Sequence, residues 1–305
     1  MGKQITKQQN ELAVFLERYT GQDGLYDTAI PFLRIARKSN ITEPDYSVYK
    51  PSLFIVVQGA KEVILAQEHF RYGPADYLVA SVGLPARARV MEASSEMPYL
   101  SLRIEFTVSQ ILEVLNDSEI QVNPTEKTKR AMYVSQIESS LLDAVIRLVH
   151  LLDNPKDIPV LGPLFVKEIL YRVLQGPHGT TLKQTAIEGS HTHRIKDVIE
   201  YITNNYHEAF RIQELAEIAN MSVASLYRHF KEVTAMTPVQ FQKQLRLQQA
   251  QHLLLSESTD AADVGFRVGY ESPSQFSREY ARLFGLPPRE DIKRLKEKSE
   301  HRINL

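Results

Sequence analysis

Apolar and polar residues alternate over short stretches in the first third of the chain, a period typical of β-strands. These stretches are rich in β-branched and aromatic residues, and turn signals such as Gly59, Gly73-Pro74 and Gly83 separate them. Many short strands at this spacing indicate an all-β barrel or sandwich. The predicted strands are residues 32–38, 53–58, 62–65, 69–72, 77–81, 88–92 and 99–106.

Beyond about Val108 the apolar residues recur every three or four positions, which indicates helices. One such stripe has the spacing of a coiled-coil seam, and it either forms a homodimer interface or packs onto the barrel wall. A second apolar helix, residues 161–174, ends at a Gly-Pro-rich cluster. The polar stretch that follows predicts an interdomain linker over residues 183–192. The seam-like stripe consists of Ile137, Leu141, Val145, Leu148 and Leu152.

The C-terminal third contains the same pattern twice: a short helix, a tight turn and a second helix. The first copy covers residues 212–219 and 222–233, with a turn at Asn220-Met221. The second covers residues 260–268 and 272–283, with a turn at Gly269-Tyr270. This is the plan of a helix-turn-helix, in which the second helix is the recognition helix.

Helix-end signals support this reading. Ser272, Pro273 and Gln275 predict a capping box at the start of the last recognition helix, and Gly285 predicts its left-handed stop. Thr237 opens a connecting helix of about 19 residues, roughly 28 Å long at ~1.5 Å per residue. Successive major grooves on one side of DNA lie about 34 Å apart. One chain could therefore present both recognition helices to adjacent grooves.

Each predicted recognition helix has two distinct faces. The inward stripes are Leu226, Phe230 and Val233 in the first helix, and Phe276, Tyr280 and Leu283 in the second. Arginine can read guanine and glutamine can read adenine, while serine and alanine permit close approach. Either Arg228 or Arg278 alone is well explained as a solvated charge, but their equivalent positions in two copies favour DNA contact. The predicted DNA-binding residues are Ser222, Ala224, Ser225, Arg228, Lys231, Ser274, Gln275, Arg278 and Arg282.

The composition excludes several kinds of chemistry but does not by itself indicate that the chain binds nucleic acid. The 305-residue chain has a net charge of −1 and no cysteine, which excludes disulfides, Cys-ligated zinc and thiol chemistry. From His191 onward there are 16 basic and 15 acidic residues, so the DNA prediction depends on motif geometry rather than bulk charge. The chain lacks a long apolar run and an apolar leader, so we expect a cytoplasmic protein without membrane spans.

These motifs resemble the AraC/XylS family of bacterial transcription regulators, and the N-terminal part is similar to a subgroup with a cupin-like sensor domain. The resemblance implies that Ala224, Arg228, Ser274, Gln275 and Arg278 occupy base- or phosphate-contacting positions. Ala224 replaces larger side chains of some members, so it can make only a small apolar contact. The matching residues are Leu215-Ala216, Met221-Ser222, residues 226–231, Thr237-Pro238, Gly265-Phe266, Gly269-Tyr270, residues 274–280, Phe284-Gly285, Pro287-Pro288 and, at the domain boundary, residues 171–179.

The predicted fold class is α+β. A cupin-like β-barrel with flanking helices, residues 1–182, serves as a sensor or dimerisation domain. After the linker, residues 193–305 form an all-α domain of two helix-turn-helix copies joined by a long helix. Tyr72 or Tyr77 with Arg103 could line an effector pocket, although a plain packed core is the alternative. Arg87 and Arg89 either lie at a barrel rim or are surface charges.

The sequence contains no recognisable catalytic constellation. His69 stands alone in the barrel, and His191 and His193 lie in the polar linker without a third ligand, so we expect no catalytic residue, metal or cofactor. The alternative hypothesis is a cupin-type enzyme with an appended DNA-binding module. A third hypothesis is that the first domain is a dimerisation module that binds no ligand. The expected partners are double-stranded promoter DNA, RNA polymerase, a small-molecule effector and a second copy of the chain. The target promoter and the sign of regulation stay open.

Overall fold

The computed structural model describes residues 2–120, 129–257 and 260–303. The chain divides into two compact units. The first unit comprises residues 1–196 and 228–235, and the second unit comprises residues 197–227 and 236–305. Among the described residues, no helix combines the length and apolar character that a membrane crossing requires. The first unit starts with α1 (Gly2–Thr20), β1 (Gly24–Asp27), β2 (Leu33–Lys38), β3 (Asp45–Tyr49), β4 (Ser52–Gln58), β5 (Ala60–Leu65), β6 (Glu68–Tyr72), β7 (Asp76–Ala80), β8 (Leu84–Glu92) and β9 (Tyr99–Glu105).

Helices follow the sheets along the chain. One more strand, β10 (Met132–Gln136), lies between α2 and α3 in the chain. The helices are α2 (Val108–Asn116), α3 (Ser139–His150), α4 (Ile158–Gln175), α5 (Gly179–Ala186), α6 (His191–Asn204), α7 (Ile212–Ile218), α8 (Val223–Thr234), α9 (Pro238–Ser256), α10 (Ala261–Arg267), α11 (Pro273–Phe284) and α12 (Pro288–Ile303). Helices α6 and α8 each contribute residues to both units.

The strands of the first unit form two antiparallel sheets. One sheet has the order β1-β2-β9-β4-β7-β10 and the other has the order β3-β8-β5-β6. Alternate side chains of β4, such as Leu53 and Ile55, join α1 residues Phe15 and Leu16 in one buried apolar cluster. Because side chains alternate along a strand, the intervening residues of β4 point to the opposite face of the sheet. The helices therefore cover one face of the six-stranded sheet.

All seven predicted strands are present, and three further strands were missed. The missed strands β1, β3 and β10 each lie at the edge of a sheet. Edge strands pair on one side only and tolerate polar residues, so their apolar pattern is weak. In β1 and β3 the burial alternates between exposed and half-buried positions over most of the strand.

The seam-like stripe of α3 packs within the first unit. Leu141, Val145 and Leu148 are at most 3% exposed and belong to the same apolar cluster as α1 and β4. The stripe is therefore buried within the first unit, where α3 packs mainly against α1 and α4 rather than directly on the sheet.

The predicted linker is folded. Helix α5 extends to Ala186, and Ser190 and Thr192 are buried. The Ser190 hydroxyl donates to the carbonyl of Gln184, while its oxygen accepts the His193 N–H at 3.0 Å. Small hydroxyl residues resemble a solvated linker in sequence, but here they satisfy buried backbone groups.

The second unit is helical, as predicted. The connecting helix α9 has 19 residues. Its Leu247, Ala250 and Leu254 form an apolar core with Phe276 and Tyr280 of α11. Asp260 caps α10 by accepting the Ala262 N–H at 3.3 Å, which accounts for the polar start of this helix.

Candidate nucleic-acid interface

Defined helix ends position α9 and α11. Thr237 Oγ1 accepts the Gln240 N–H at 3.3 Å and the Thr237 N–H donates to Gln240 Oε1 at 2.9 Å, a complete capping box. At α11, Ser272 Oγ accepts the Gln275 N–H at 3.4 Å. Gly285 ends α11 with φ +85°, as its sequence position predicts. These caps fix where each helix begins and how it is rotated.

Helix α11 presents a polar face opposite its buried stripe. Phe276 and Tyr280 are fully buried, whereas Ser274, Gln275, Arg278 and Arg282 are exposed. Within the part of the chain that the structure describes, no hydrogen bond or ion pair engages the guanidinium groups of Arg278 and Arg282. These two cations are therefore accessible to an anionic partner such as a phosphate or to the edge of a guanine.

Helix α8 repeats this arrangement. Leu226, Phe230 and Val233 are fully buried. The other side of the helix carries the predicted DNA-binding residues, of which Ser225 is half-buried and the rest are exposed: Ser222, Ala224, Ser225, Arg228 and Lys231. Thus all the residues selected from the sequence lie at accessible positions, and their role in DNA contact stays a prediction.

His229 anchors part of α8 in the first unit. Its ring is buried, stacks on the His191 ring with centroids 4.1 Å apart, and contacts Glu232 Oε2 at 2.9 Å. Arg228 Nη2 lies 3.2 Å from His229 Nε2. Burial, helped by the neighbouring His229, lowers the pKa of His191. His191 therefore makes a packing contact that its position in a predicted solvated linker did not suggest.

The other two histidines singled out from the sequence, His69 and His193, also make structural contacts. His193 Nδ1 lies 3.1 Å from the carbonyl of Thr185, and His69 Nδ1 lies 3.2 Å from Glu62 Oε1. Arg89 pairs with the same Glu62 carboxylate, with Nη2 at 2.7 Å. No cluster of three metal-ligating side chains occurs among the described residues.

A contact at the C-terminal end of α8 has no counterpart among the sequence predictions. Within the first unit, Arg130 Nη1 donates to the carbonyls of Lys231, at 2.6 Å, and of Glu232. The Ala131 N–H donates to the Val233 carbonyl at 3.0 Å. Glu68 holds the rest of the Arg130 guanidinium. These donors satisfy carbonyls that a helix end otherwise leaves free, and partners a hundred residues apart leave no local sequence signal.

An ionic network links α9 to α11 in the second unit. Lys243 Nζ contacts Glu279 Oε1 at 3.0 Å, and the Tyr270 hydroxyl donates to Glu279 Oε2 at 2.9 Å. Burial raises the pKa of Glu279, but Lys243, Tyr270 and Gln275 together outweigh it and hold the pKa below 4.5. Gln275, a predicted base-reading residue, thus lies beside a charged network.

The predicted effector residues do not share one wall. Tyr77 pairs with Ile55 across the ladder and belongs to the cluster on the helix side. Arg103 pairs with Phe54, one position away, so its side chain points to the other face. The prediction that Tyr77 shares an inner wall with Arg103 is therefore wrong. Tyr72 is buried, and burial raises its pKa well above 10.

Arg103 lies in an unusual electrostatic setting. It is directly opposite Arg34 across the β2–β9 ladder, it pairs with Glu105, and its buried Nε has no hydrogen-bond partner among the described residues. Burial lowers the pKa of Arg103, Glu105 counteracts this, and Arg34 lowers it further. Like charges opposite each other on a sheet are unfavourable, and here the carboxylates of Asp27, beside Arg34, and of Glu105 offset the repulsion.

Comparison with known proteins shows to which family the chain belongs. Residues 29–181 match the model of the AraC-type transcriptional regulator N-terminus, and residues 215–294 match a helix-turn-helix domain model. The chain belongs to the AraC family of transcription regulators. The resemblance inferred from the sequence motifs is therefore confirmed, and with it the helix-turn-helix character of the C-terminal part of this AraC-type regulator.

Relatives are consistent with this assignment. The HTH-type transcriptional activator RhaS from Yersinia pestis bv. Antiqua (strain Angola) is 29% identical over 138 residues, covering 45% of the AraC-type regulator and 48% of RhaS. The chain thus spans about half the length of the curated relatives that it matches.

The fold also matches solved structures. Fatty-acid-bound ToxT from Vibrio cholerae strain SCE256 covers 85% of the regulator, which covers 94% of ToxT, with a TM-score of 0.55 and 8% identity. A second ToxT structure from Vibrio cholerae, in a P21 crystal form, gives a TM-score of 0.54 at 10% identity, covering 85% and 97% of the two chains. The predicted α+β class, a sheet domain and a helical domain, is confirmed.

Proposed function

We propose that this regulator binds promoter DNA sequence-specifically, with α8 and α11 in successive major grooves. The observation that carries the proposal is the face of α11, where the guanidinium of Arg278, unpaired among the described residues, is exposed directly opposite buried Phe276 and Tyr280. The matching face of α8, with Arg228, supports a second contact of the same kind. Because the chain is nearly neutral, its affinity for DNA then depends on a small set of placed contacts rather than on a broad basic surface.

DNA selection tests the proposal. Fragments recovered by the full chain from a random duplex library define a site, and its affinity is then measured against salt concentration. We expect Arg278→Ala to weaken binding by about 1–3 kcal/mol and to relax the preference at one base position. Arg228→Ala should act at a different position of the same site. Exposed Lys293 on α12 provides a control, because Lys293→Ala removes one charge away from the recognition helices.

If the double variant of Arg228 and Arg278 binds the selected site as tightly as the wild type, the groove assignment is wrong. A loss that is uniform across all sequences would assign these arginines to phosphates instead of bases.

We further propose that the first unit controls DNA binding, through a small-molecule effector or through dimerisation. The buried Nε of Arg103, which has no hydrogen-bond partner among the described residues, and the buried Tyr49 and Tyr72 in the same unit favour an effector that carries an anionic group. A ligand that binds only the folded state raises the melting temperature, so a thermal-shift screen of metabolites with Arg103→Gln as the comparison tests this site. The packed-core alternative predicts no shift with any ligand.

An enzymatic activity is not proposed, because the family consists of transcription regulators. The division into a sensor domain and a DNA-binding domain, a cytoplasmic location, RNA polymerase as a partner and self-association belong to the same proposal. A stoichiometric metal in the purified protein would instead favour the cupin-type enzyme.

A further inference from the structure

Arg246, in the middle of α9, binds four backbone carbonyls. Its Nε donates to Tyr206 O at 2.7 Å, and its Nη2 donates to His207 O and Glu208 O at 3.2 and 3.0 Å. Its Nη1 donates to Gly269 O at 2.8 Å. One guanidinium thus joins three elements of the second unit: α9, the segment that precedes α7, and the turn that precedes α11.

The turn at Gly269 is built for this close approach. Gly269 has φ +92°, and a Cβ added there would lie 2.1 Å from His207 O and 2.8 Å from Arg246 Nη2. Any side chain at this position would therefore push the turn away from the carbonyls that Arg246 binds. The closeness is a second observation, independent of the hydrogen bonds, that the turn is fitted against residue 207.

Neighbouring contacts strengthen the same junction. Gln242, one helical turn before Arg246, donates from Nε2 to Glu208 O at 2.6 Å. The Tyr206 ring packs against the apolar core that contains Phe276 and Tyr280 of α11. The segment that leads into the first helix-turn-helix is therefore bound both to the connecting helix and to the core of the second.

The chemistry of the junction requires arginine. A guanidinium offers five donors in a fixed plane, and it keeps its charge when half-buried, so it can bridge carbonyls on two separate segments. Lysine has the same charge at a single point and cannot reach both segments in that geometry. Removal of the side chain would leave several carbonyls without a donor, which loosens the junction without altering either recognition helix.

We propose that Arg246 is a positioning residue that sets the spacing between the two DNA sub-sites that the regulator accepts. The inference rests on the proposed function, in which two recognition helices bind one continuous site. A rigid junction makes the second helix bind at high effective concentration once the first is bound, but only at the matching spacing. A loosened junction lowers that advantage and widens the tolerated range.

The test uses the full chain and duplexes that carry the selected site with one or two base pairs inserted or deleted between its sub-sites. Each inserted pair moves the second sub-site by about 3.4 Å and rotates it by about 35°. The wild type should lose about tenfold or more in affinity at each altered spacing. Arg246→Lys should bind the native site about tenfold more weakly and vary less than about threefold across the spacings, while its affinity for a single sub-site stays within about twofold of wild type.

Two further variants keep the test decisive. Gln242→Leu removes only the neighbouring bond to Glu208 O and should flatten the spacing profile less than Arg246→Lys, with circular dichroism confirming that both remain folded. Arg267→Ala removes an equal charge from α10, where the exposed Arg267 side chain pairs with Glu257, and should leave the profile sharp.

The outcomes separate the two proposals. A wild type that ignores spacing contradicts the two-groove function itself. A sharp profile in folded Arg246→Lys overturns the positioning role, as does an equal loss of affinity for single and double sub-sites, which would indicate a direct phosphate contact or general loosening instead.

Discussion

Arginine residues illustrate how one side-chain type serves different purposes at the residue scale. Arg278 is exposed and has no partner in the part of the chain that the structure describes, Arg246 binds four carbonyls, and Arg130 binds the end of α8. The sequence indicates the first setting, because Arg278 faces away from an apolar stripe within its own helix. It does not indicate the other two, because their partners are backbone atoms of segments distant in the chain.

The Glu279 network predicts a pH dependence. Its pKa is lower in the folded chain than the ordinary 4.5, so the folded state binds fewer protons there and gains stability at pH above about 4.5. That contribution is lost as the pH falls through the depressed pKa. Glu279→Gln should destabilise the second unit by about 1 kcal/mol at pH 7 and by almost nothing near pH 3. Urea unfolding followed by circular dichroism measures both, since the chain has no tryptophan.

Glu217 is the matched control for this effect, because it is exposed on α7. Glu217→Gln should change the unfolding free energy by less than about 0.5 kcal/mol, as is usual for an exposed position. A destabilisation by Glu279→Gln that is equally large at both pH values would contradict an ionic origin.

At the element scale, helix ends were predicted better than strands. Thr237, Ser272 and Gly285 act on their own neighbours, so their chemistry can be read from a few residues. Edge strand β3 forms because the distant strand β8 pairs with it, and β1 pairs with the next strand, β2, but buries no side chain fully. Short polar stretches of this kind carry little signal of pairing. The placement of Tyr77 failed for a related reason: a one-residue difference in register exchanges the two faces of a sheet.

The two caps allow a direct comparison. Thr237 has a reciprocal capping box, whereas Ser272 accepts one bond at 3.4 Å. Thr237→Ala and Ser272→Ala each remove one accepted bond of similar length, and we expect each to cost about 1 kcal/mol of unfolding free energy. The second bond of the box joins the Thr237 backbone N–H to Gln240 Oε1 and survives Thr237→Ala, so Gln240→Ala tests it. An unchanged unfolding free energy of Gln240→Ala in chemical denaturation would show that this bond adds no stability.

At the scale of the whole molecule, the apolar face of α3 shows what a period alone leaves undecided. The spacing of Leu141, Val145 and Leu148 suits either a dimer seam or an internal core, and the structure places these side chains in the core of the first unit. The arrangement of a sheet domain and a helical domain was predictable, since strand and helix periods dominate separate parts of the chain. Contacts between distant parts of one unit were not.

The location of Val145 gives a test that separates these uses. Val145 is 0% exposed, so Val145→Asp buries an unpaired charge and should destabilise the first unit by more than about 3 kcal/mol. Melting temperature at several protein concentrations and size-exclusion chromatography provide the readouts, with Arg147→Ala on the exposed side of α3 as the control. A folded monomer from a dimeric wild type would instead identify α3 as the seam.

The junction at Arg246 has a consequence for how this protein can vary. Every acceptor there is a main-chain oxygen, which all amino acids possess, so the contact does not depend on which side chains occupy positions 207 and 208. Those two residues are exposed and can diverge freely, carrying new charges or new contacts to the surface. Only the arginine and the glycine opposite it are constrained, so a fixed geometry can coexist with an adaptable outer surface.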